Sequence, residues 1–412
     1  MSLNHHILAK TTTDAVLSRF KSALWTCLDG IGADFSRIPT TAEFPSPDAA
    51  FFDWTNKIQA SFEFKPPTET KRGILTGVGQ SIAYLNNANI SFLVAPRRLE
   101  EFDLGSYLSD LYLRHIVGKI PTGLILYDNN KPQEVVLEHN VSMETLGADH
   151  KVFSAPRSNR FWANYVDMPV PLLHLLLHYY YLKKVGQIEG DAFAACWRER
   201  MIPPTVVESL RPCPIIDVEG NPIKTPANNK DMTILEKTIS KWLKEYAPDE
   251  VRQRIEEKRD TTISGDTLFQ SQKKNFVTFL KHLHLIDSEG NLTDSGFSLY
   301  HLGLVNGPTS QAFRDYVTKE ILITGHHLDL ILDLDAIKQT EDKGSDIWAI
   351  MQQQYEDRGL LKKNPGRIAH EASNSPFLKD ERILWNALGL VDNNMTIQWR
   401  KITEICSLPD LQ

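Results

Sequence analysis

Scarcity says much about this chain of 412 residues before any motif is read. Cysteine is rare: Cys27, Cys196, Cys213 and Cys406 stand far apart, with neither zinc-knuckle spacing nor the density of a disulfide scaffold. A reducing, cytoplasmic setting is therefore expected. No apolar run approaches the ~20 residues that a membrane-crossing helix needs. Met1 to Lys10 carries two histidines and no long apolar stretch, so it does not read as a secretory signal. Surplus positive charge is missing too. A net charge of −7 argues against coating nucleic acid by bulk attraction, although it leaves room for a local basic cleft. No Gly-x-x-x-x-Gly-Lys-Ser/Thr loop occurs, so no nucleotide cofactor is expected.

What is present reads as an ordinary folded protein. Hydrophobic residues make up 42% and charged residues 24%, and the length suits two or three domains. One stretch, Pro47 to Tyr84, organises the rest. Residues 58–65 read Ile-Gln-Ala-Ser-Phe-Glu-Phe-Lys, a near-perfect alternation. In a strand this sends Ile58, Ala60, Phe62 and Phe64 to a core and Gln59, Ser61, Glu63 and Lys65 to the other face, a polar one. Ala49 to Phe52 is a second apolar run, and the polar segment Asp53 to Lys57 between the two suits a hairpin turn. Such a hairpin brings Asp48 beside Glu63. Pro66-Pro67 then stops the strand, and Thr70 to Leu85 reads as a helix with Ile74, Val78 and Ile82 on one face. Gln80 and Tyr84, four apart, share a face of it. Ile90 to Pro96 reads as the next strand.

Two carboxylates and an amine on one strand edge have a specific chemistry. Hard oxygen ligands hold Mg²⁺, and a lysine beside them can serve a water attacking phosphorus. Pro47-Asp48, the fourteen residues between Asp48 and Glu63, and Glu63-Phe64-Lys65 together resemble the PD-(D/E)xK nuclease superfamily. Gln80 and Tyr84 resemble the Gln-x-x-x-Tyr element that many members carry on the following helix. The resemblance covers about residues 40–100. It implies that Asp48, Glu63 and the Phe64 carbonyl hold the metal, and that Lys65 and Gln80 act in catalysis. It also implies that Tyr84 meets the substrate, and neighbouring Arg72 is a further DNA-contact candidate. The fold it implies is mixed α+β, with a restriction-endonuclease-like core at the N-terminus.

Thr12 to Leu28 reads as the first helix, and residues 30–47 as a loop entering the hairpin. Beyond the core come a charged segment from Arg97-Arg98 to Asp103 and a helix-like run from Tyr107 to Val117. A strand from Thr122 to Tyr127 follows, turning at Asp128-Asn129-Asn130 towards Val135 to Leu137. The expected division is a nuclease domain over 1–150, a helical connector over 151–230 and a recognition region over 231–412. In that last part His284-Leu285-Ile286-Asp287, followed by Asn291-Leu292-Thr293, resembles a winged helix-turn-helix. Leu388-Gly389-Leu390-Val391-Asp392 and Asn394-Met395-Thr396 echo it, which suggests two winged-helix-like units near 255–305 and 340–405. Gln272, Lys273 and Lys274, with the basic turn Lys362, Lys363 and Arg367, are candidate DNA contacts. The resulting expectation is a Mg²⁺-dependent, type II restriction-like endonuclease acting on double-stranded DNA, as a homodimer when cutting. Its alternatives are a structure- or modification-dependent repair, transposon or defence nuclease, and a non-catalytic winged-helix regulator.

Overall fold

The computed structural model describes residues 3–25, 30–43, 45–146, 152–154, 156, 160–165, 168–226, 228–260, 267–341, 346–362 and 377–411. The architecture is mixed α+β: a six-stranded N-terminal sheet followed by a mostly helical region. Two compact units are formed, one from residues 1–162 and 326–377, the other from residues 163–325 and 378–412. The three consecutive blocks expected from the sequence differ from this division. The chain leaves the sheet unit, returns to it at 326–377 and leaves again.

The sheet unit begins with α1 (Leu3–Lys21), β1 (Phe35–Ile38), β2 (Ala49–Asp53) and β3 (Ile58–Phe64). Then come α2 (Lys71–Ala83), β4 (Ile90–Pro96), α3 (Leu104–His115), β5 (Thr122–Tyr127) and β6 (Val135–His139). Spatial order follows chain order. β1, β2 and β3 are antiparallel, β3, β4 and β5 are parallel through the α2 and α3 crossovers, and β6 returns antiparallel. At the β2–β3 turn the Asp53 carboxylate accepts the Asn56 N–H at 2.7 Å, and Lys57 takes the left-handed conformation with φ 58°. Thr70 caps α2, its hydroxyl accepting the Gly73 N–H at 3.0 Å.

Both faces of this sheet are covered, as parallel strands with helical crossovers require. On one face Ile74 and Val78 of α2 and Leu104, Leu108 and Tyr112 of α3 pack on Leu93, Ala95, Leu124 and Leu126. On the other, Phe20 of α1 meets Phe35 and Phe92 edge-on, and Phe92 stacks on Phe62 at 5.2 Å. The polar face of β3 is buried as well: Ser61 and Glu63 are both only 3% exposed. The alternation in β3 sorts its residues between two interiors.

α1 starts nine residues before the expected Thr12. Thr11-Thr12-Thr13 resembles a cap, yet the Thr12 hydroxyl donates back to the Leu8 carbonyl at 3.0 Å and the helix runs through. β1 lies within the expected loop of 30–47. Its Arg37 is buried and donates to Asp329 at 2.8 Å, while His6 Nε2 lies 2.5 Å from the same carboxylate. Asp329 belongs to the helix His327–Thr340, so this network ties the returning segment to α1 and β1. Lys10 extends it, binding Asp14 at 2.7 Å and Asp333 at 2.8 Å.

In the helical unit the helix Val170–Lys184 is buried along most of its length and packs against the helix Asp294–Asn306. This places part of the expected connector in that unit's core. Gly303 allows the contact: a Cβ there would stand 2.3 Å from His174 Cδ2. Three small hairpins share one design, with bridges Ile216↔Pro222, Ile286↔Leu292 and Val391↔Ile397. In each, an aspartate just after the first bridge residue accepts the N–H four residues on: Asp217 from Asn221 at 2.8 Å, Asp287 from Asn291 at 2.7 Å, Asp392 from Thr396 at 2.8 Å. The first copy can be seen in the sequence too, since Ile216-Asp217-Val218-Glu219-Gly220-Asn221 matches Ile286-Asp287-Ser288-Glu289-Gly290-Asn291 at five of six positions. The echo of Asn291 by Asn394 is also corrected: Thr396 occupies the place of Asn291, and Met395, at φ 60°, that of Gly290.

Candidate active site

The β2–β3 register pairs Ala49 with Phe62, so one step further sets Asp48 opposite Glu63. β2 leaves the ladder there. The Asp48 N–H turns to the Phe62 carbonyl at 3.1 Å, and its carboxylate Oδ2 accepts the Phe64 N–H at 2.7 Å. The N–H and C=O of one strand residue point to the same edge. The Phe64 carbonyl therefore faces the Asp48 side, past the end of β2.

Glu63 is held on both oxygens. Oε1 pairs with Lys65 Nζ at 2.7 Å, and Oε2 accepts the Tyr84 hydroxyl. Lys65 Nζ also donates to Gln80 Oε1 at 3.0 Å. An ammonium has three donors, so one remains for another partner. The backbone of Lys65 is fixed as well. Its N–H donates to the Val94 carbonyl at 2.9 Å, and the next ladder position on β4 is Pro96, which has no N–H to give. The Tyr127 hydroxyl, at the end of β5, fills the gap by donating to the Lys65 carbonyl at 2.9 Å. Tyr127 also stacks on Phe64 at 5.4 Å. Neither Tyr127 nor Gly77, whose missing side chain leaves room for Lys65, is marked by the sequence motif. The proline at the end of β4 is the signal that points to Tyr127.

Crowding of the carboxyl group and the adjacent Glu63 charge push the Asp48 carboxyl up to about 7. Asp48 keeps an exposed side, so the repulsion from Glu63 is the firmer cause, and a cation between the two would relieve it. The donors are two carboxylates and one carbonyl, all hard oxygen. No third His, Cys, Asp or Glu joins them among the described residues. Such a sparse set fits Mg²⁺, which usually retains several waters, better than Zn²⁺, which takes nitrogen and sulfur ligands.

The other expected contacts are scattered. Tyr84 is 2% exposed, and its hydroxyl lies on Glu63 and, at 3.2 Å, on the Ser46 carbonyl; it forms part of the floor of the site. Arg72 is exposed on the first turn of α2. In the helical unit Lys273 pairs with Asp191, Gln272 is half-buried and Lys274 exposed. Lys362 lies in the sheet unit, its ammonium 4.1 Å from the centre of the Trp54 ring at the β2–β3 turn. Lys363 and Arg367 lie outside the described residues. Comparison with known proteins finds no family model and no curated protein that matches the chain.

Proposed function

We propose that this protein is a Mg²⁺-dependent endodeoxyribonuclease that hydrolyses DNA phosphodiester bonds at a specific sequence, in the manner of type II restriction enzymes. One observation carries the reading. Asp48, Glu63, the Phe64 carbonyl edge and Lys65 converge at one strand end, within the order helix, three antiparallel strands, helix, parallel strand. That order and those residue types resemble the PD-(D/E)xK nucleases.

Mg²⁺ held by Asp48, Glu63 and the Phe64 carbonyl would supply an acidified water and offset charge at the phosphorus. The protein's own part is orientation. Gln80 and Glu63 aim the Lys65 ammonium, whose third N–H is left to orient the attacking water or a phosphate oxygen. Tyr84 fixes the Glu63 carboxylate against rotation, and Tyr127 fixes the strand end that carries Lys65. With one site per chain, cutting both strands calls for two copies on the DNA. Incubation with mixed genomic and plasmid DNA and Mg²⁺ should yield discrete fragments. Asp48→Ala and Glu63→Ala should abolish cleavage and keep DNA binding. Intact DNA after incubation with folded wild-type protein, or undiminished cutting by both variants, would sink the reading.

A further inference from the structure

We infer that Arg97 is a phosphate-binding residue of this same site, gripping the DNA backbone beside the phosphate that is cut; the inference rests on the nuclease reading. Three observations lead to it. First, Arg97 stands at the carboxyl end of β4, the central parallel strand, and ligands of open α/β sheets gather at that edge. Second, its backbone is fixed from both sides. The Arg97 N–H donates to the Tyr127 carbonyl at 3.0 Å, continuing the β4–β5 ladder, and its carbonyl accepts the Gly105 N–H at 2.9 Å. Third, its half-buried side chain forms no hydrogen bond or ion pair among the described residues, and its charge reaches the Asp103 carboxylate only weakly, after that of Arg98. A partly buried arginine whose five N–H donors make no hydrogen bond among the described residues suits a bidentate phosphate contact.

Register places it relative to the chemistry. Phe64 pairs with Val94, so the next pair is Lys65 with Ala95, and Arg97 lies two residues further on. Leu93 and Ala95 pack under α2 and α3, the face that also holds Lys65 against Gly77 and Gln80. By alternation Arg97 falls on that face too. A strand spacing of ~4.8 Å and a rise of ~3.3 Å per residue put the Cα atoms of Lys65 and Arg97 roughly 8 Å apart. From there an arginine side chain can reach a phosphate adjoining one held at Lys65. Arg98 has no such setting: its side chain is 59% exposed and drawn towards Glu101 at 3.6 Å.

The test is the salt dependence of DNA binding, measured by fluorescence anisotropy on a labelled duplex with EDTA present, so that nothing is cut. Arg97→Ala should weaken binding on every duplex alike and lower the slope of log affinity against log salt by about one. With Mg²⁺ added, KM should rise and kcat hold, because a flanking phosphate is gripped equally in ground and transition states. Arg97→Lys should restore most of the slope, and Arg98→Ala should match wild type throughout. If Arg97→Ala does not melt cooperatively, Arg97→Gln, which keeps the stem and loses the charge, takes its place. A wild-type slope and KM in the charge-free variant would overturn the inference and leave the nuclease reading standing. Wild-type protein that neither binds nor cuts DNA would overturn both.

Discussion

Gly77 offers a sharp test of how the lysine is held. A Cβ added there would lie 2.6 Å from Lys65 Cε and 3.1 Å from Leu93 Cδ1. The nearer atom is the movable end of a side chain, so Gly77→Ala should be accommodated by pushing the Lys65 ammonium away from Glu63 and Gln80. Against this stands a gain: alanine is better than glycine in a helix interior by about 1 kcal/mol. Losing the Lys65–Glu63 pair offsets much of that, so the melting temperature should barely move. Activity should fall far, since a displacement of ~1 Å at a reacting group can cost about 100-fold. The control sits two residues away. A Cβ at Gly79 meets nothing within 4 Å, so Gly79→Ala keeps the helix gain alone. It should raise the melting temperature of the sheet unit by roughly 2–4 °C and leave cleavage unchanged. Thermal melts and single-turnover cleavage on the same preparations read both effects. Full activity in Gly77→Ala, or equal loss in both variants, would refute the placing of Lys65 by α2.

Two further outcomes concern stability. Burial alone would raise the Asp329 carboxyl, but the Arg37 guanidinium and His6 hold it well below the usual carboxylate range. Asp329→Ala should then cost about 3–5 kcal/mol in urea unfolding, because it strands a buried guanidinium, and a loss below ~1 kcal/mol would refute that account. His174 donates from Nε2 to the Tyr300 carbonyl at 3.1 Å, while its buried Nδ1 has no partner to receive a new proton. Burial lowers this imidazole to about 4, against 6.5 unfolded. The unfolded chain thus binds more protons between those values. The stabilisation from neutral His174 is complete above pH ~6.5 and drains away as pH falls towards ~4. His174→Gln should flatten the fall in melting temperature over that window, and an unchanged pH profile would refute it.

That the residues of the candidate site converge was legible because they are local. Asp48, Glu63, Lys65, Gln80 and Tyr84 fall within 37 consecutive residues, and turn chemistry, strand alternation and helix spacing bring them together without help from afar. β4 and β5 were legible for a similar reason, as short apolar runs ended by Pro96 and Asp128. β1 was not. Ser36 and Arg37 look like loop residues, and the burial of Arg37 depends on Asp329, 292 residues away, with His326 and the Phe161 ring beside it. No local pattern reports a partner at that distance. The burial of Glu63, by contrast, is local, since α2 and Tyr84, which cover its face, follow within the same stretch.

The limits of local reading matter most for separating recognition from cutting. Read linearly, the recognition region expected over 231–412, together with the proline-rich loops that lead into it from Pro203, looks self-sufficient, with its echoing hairpins as the evidence. The helical unit in fact begins at Ala163, and Leu172, Leu173, His174, Leu175, Leu176 and Leu177 are each 1% exposed or less. A fragment starting at 203 would lose this helix and bare the surface of Asp294–Asn306 on which it packs, including the place that Gly303 keeps clear for His174. Removing five buried leucines, each worth about 1.5–3 kcal/mol, costs about as much as the whole stability of most domains. Such a fragment should fail to fold whether or not it ever bound DNA, so its silence would say nothing about recognition. The chain also leaves this unit between Gly325 and Leu378, so no single cut isolates it. Sequence preference has to be mapped by point substitution in the full chain, with the exposed Lys274 of the helix Thr267–His282 and the exposed Arg72 of α2 as the first pair to compare.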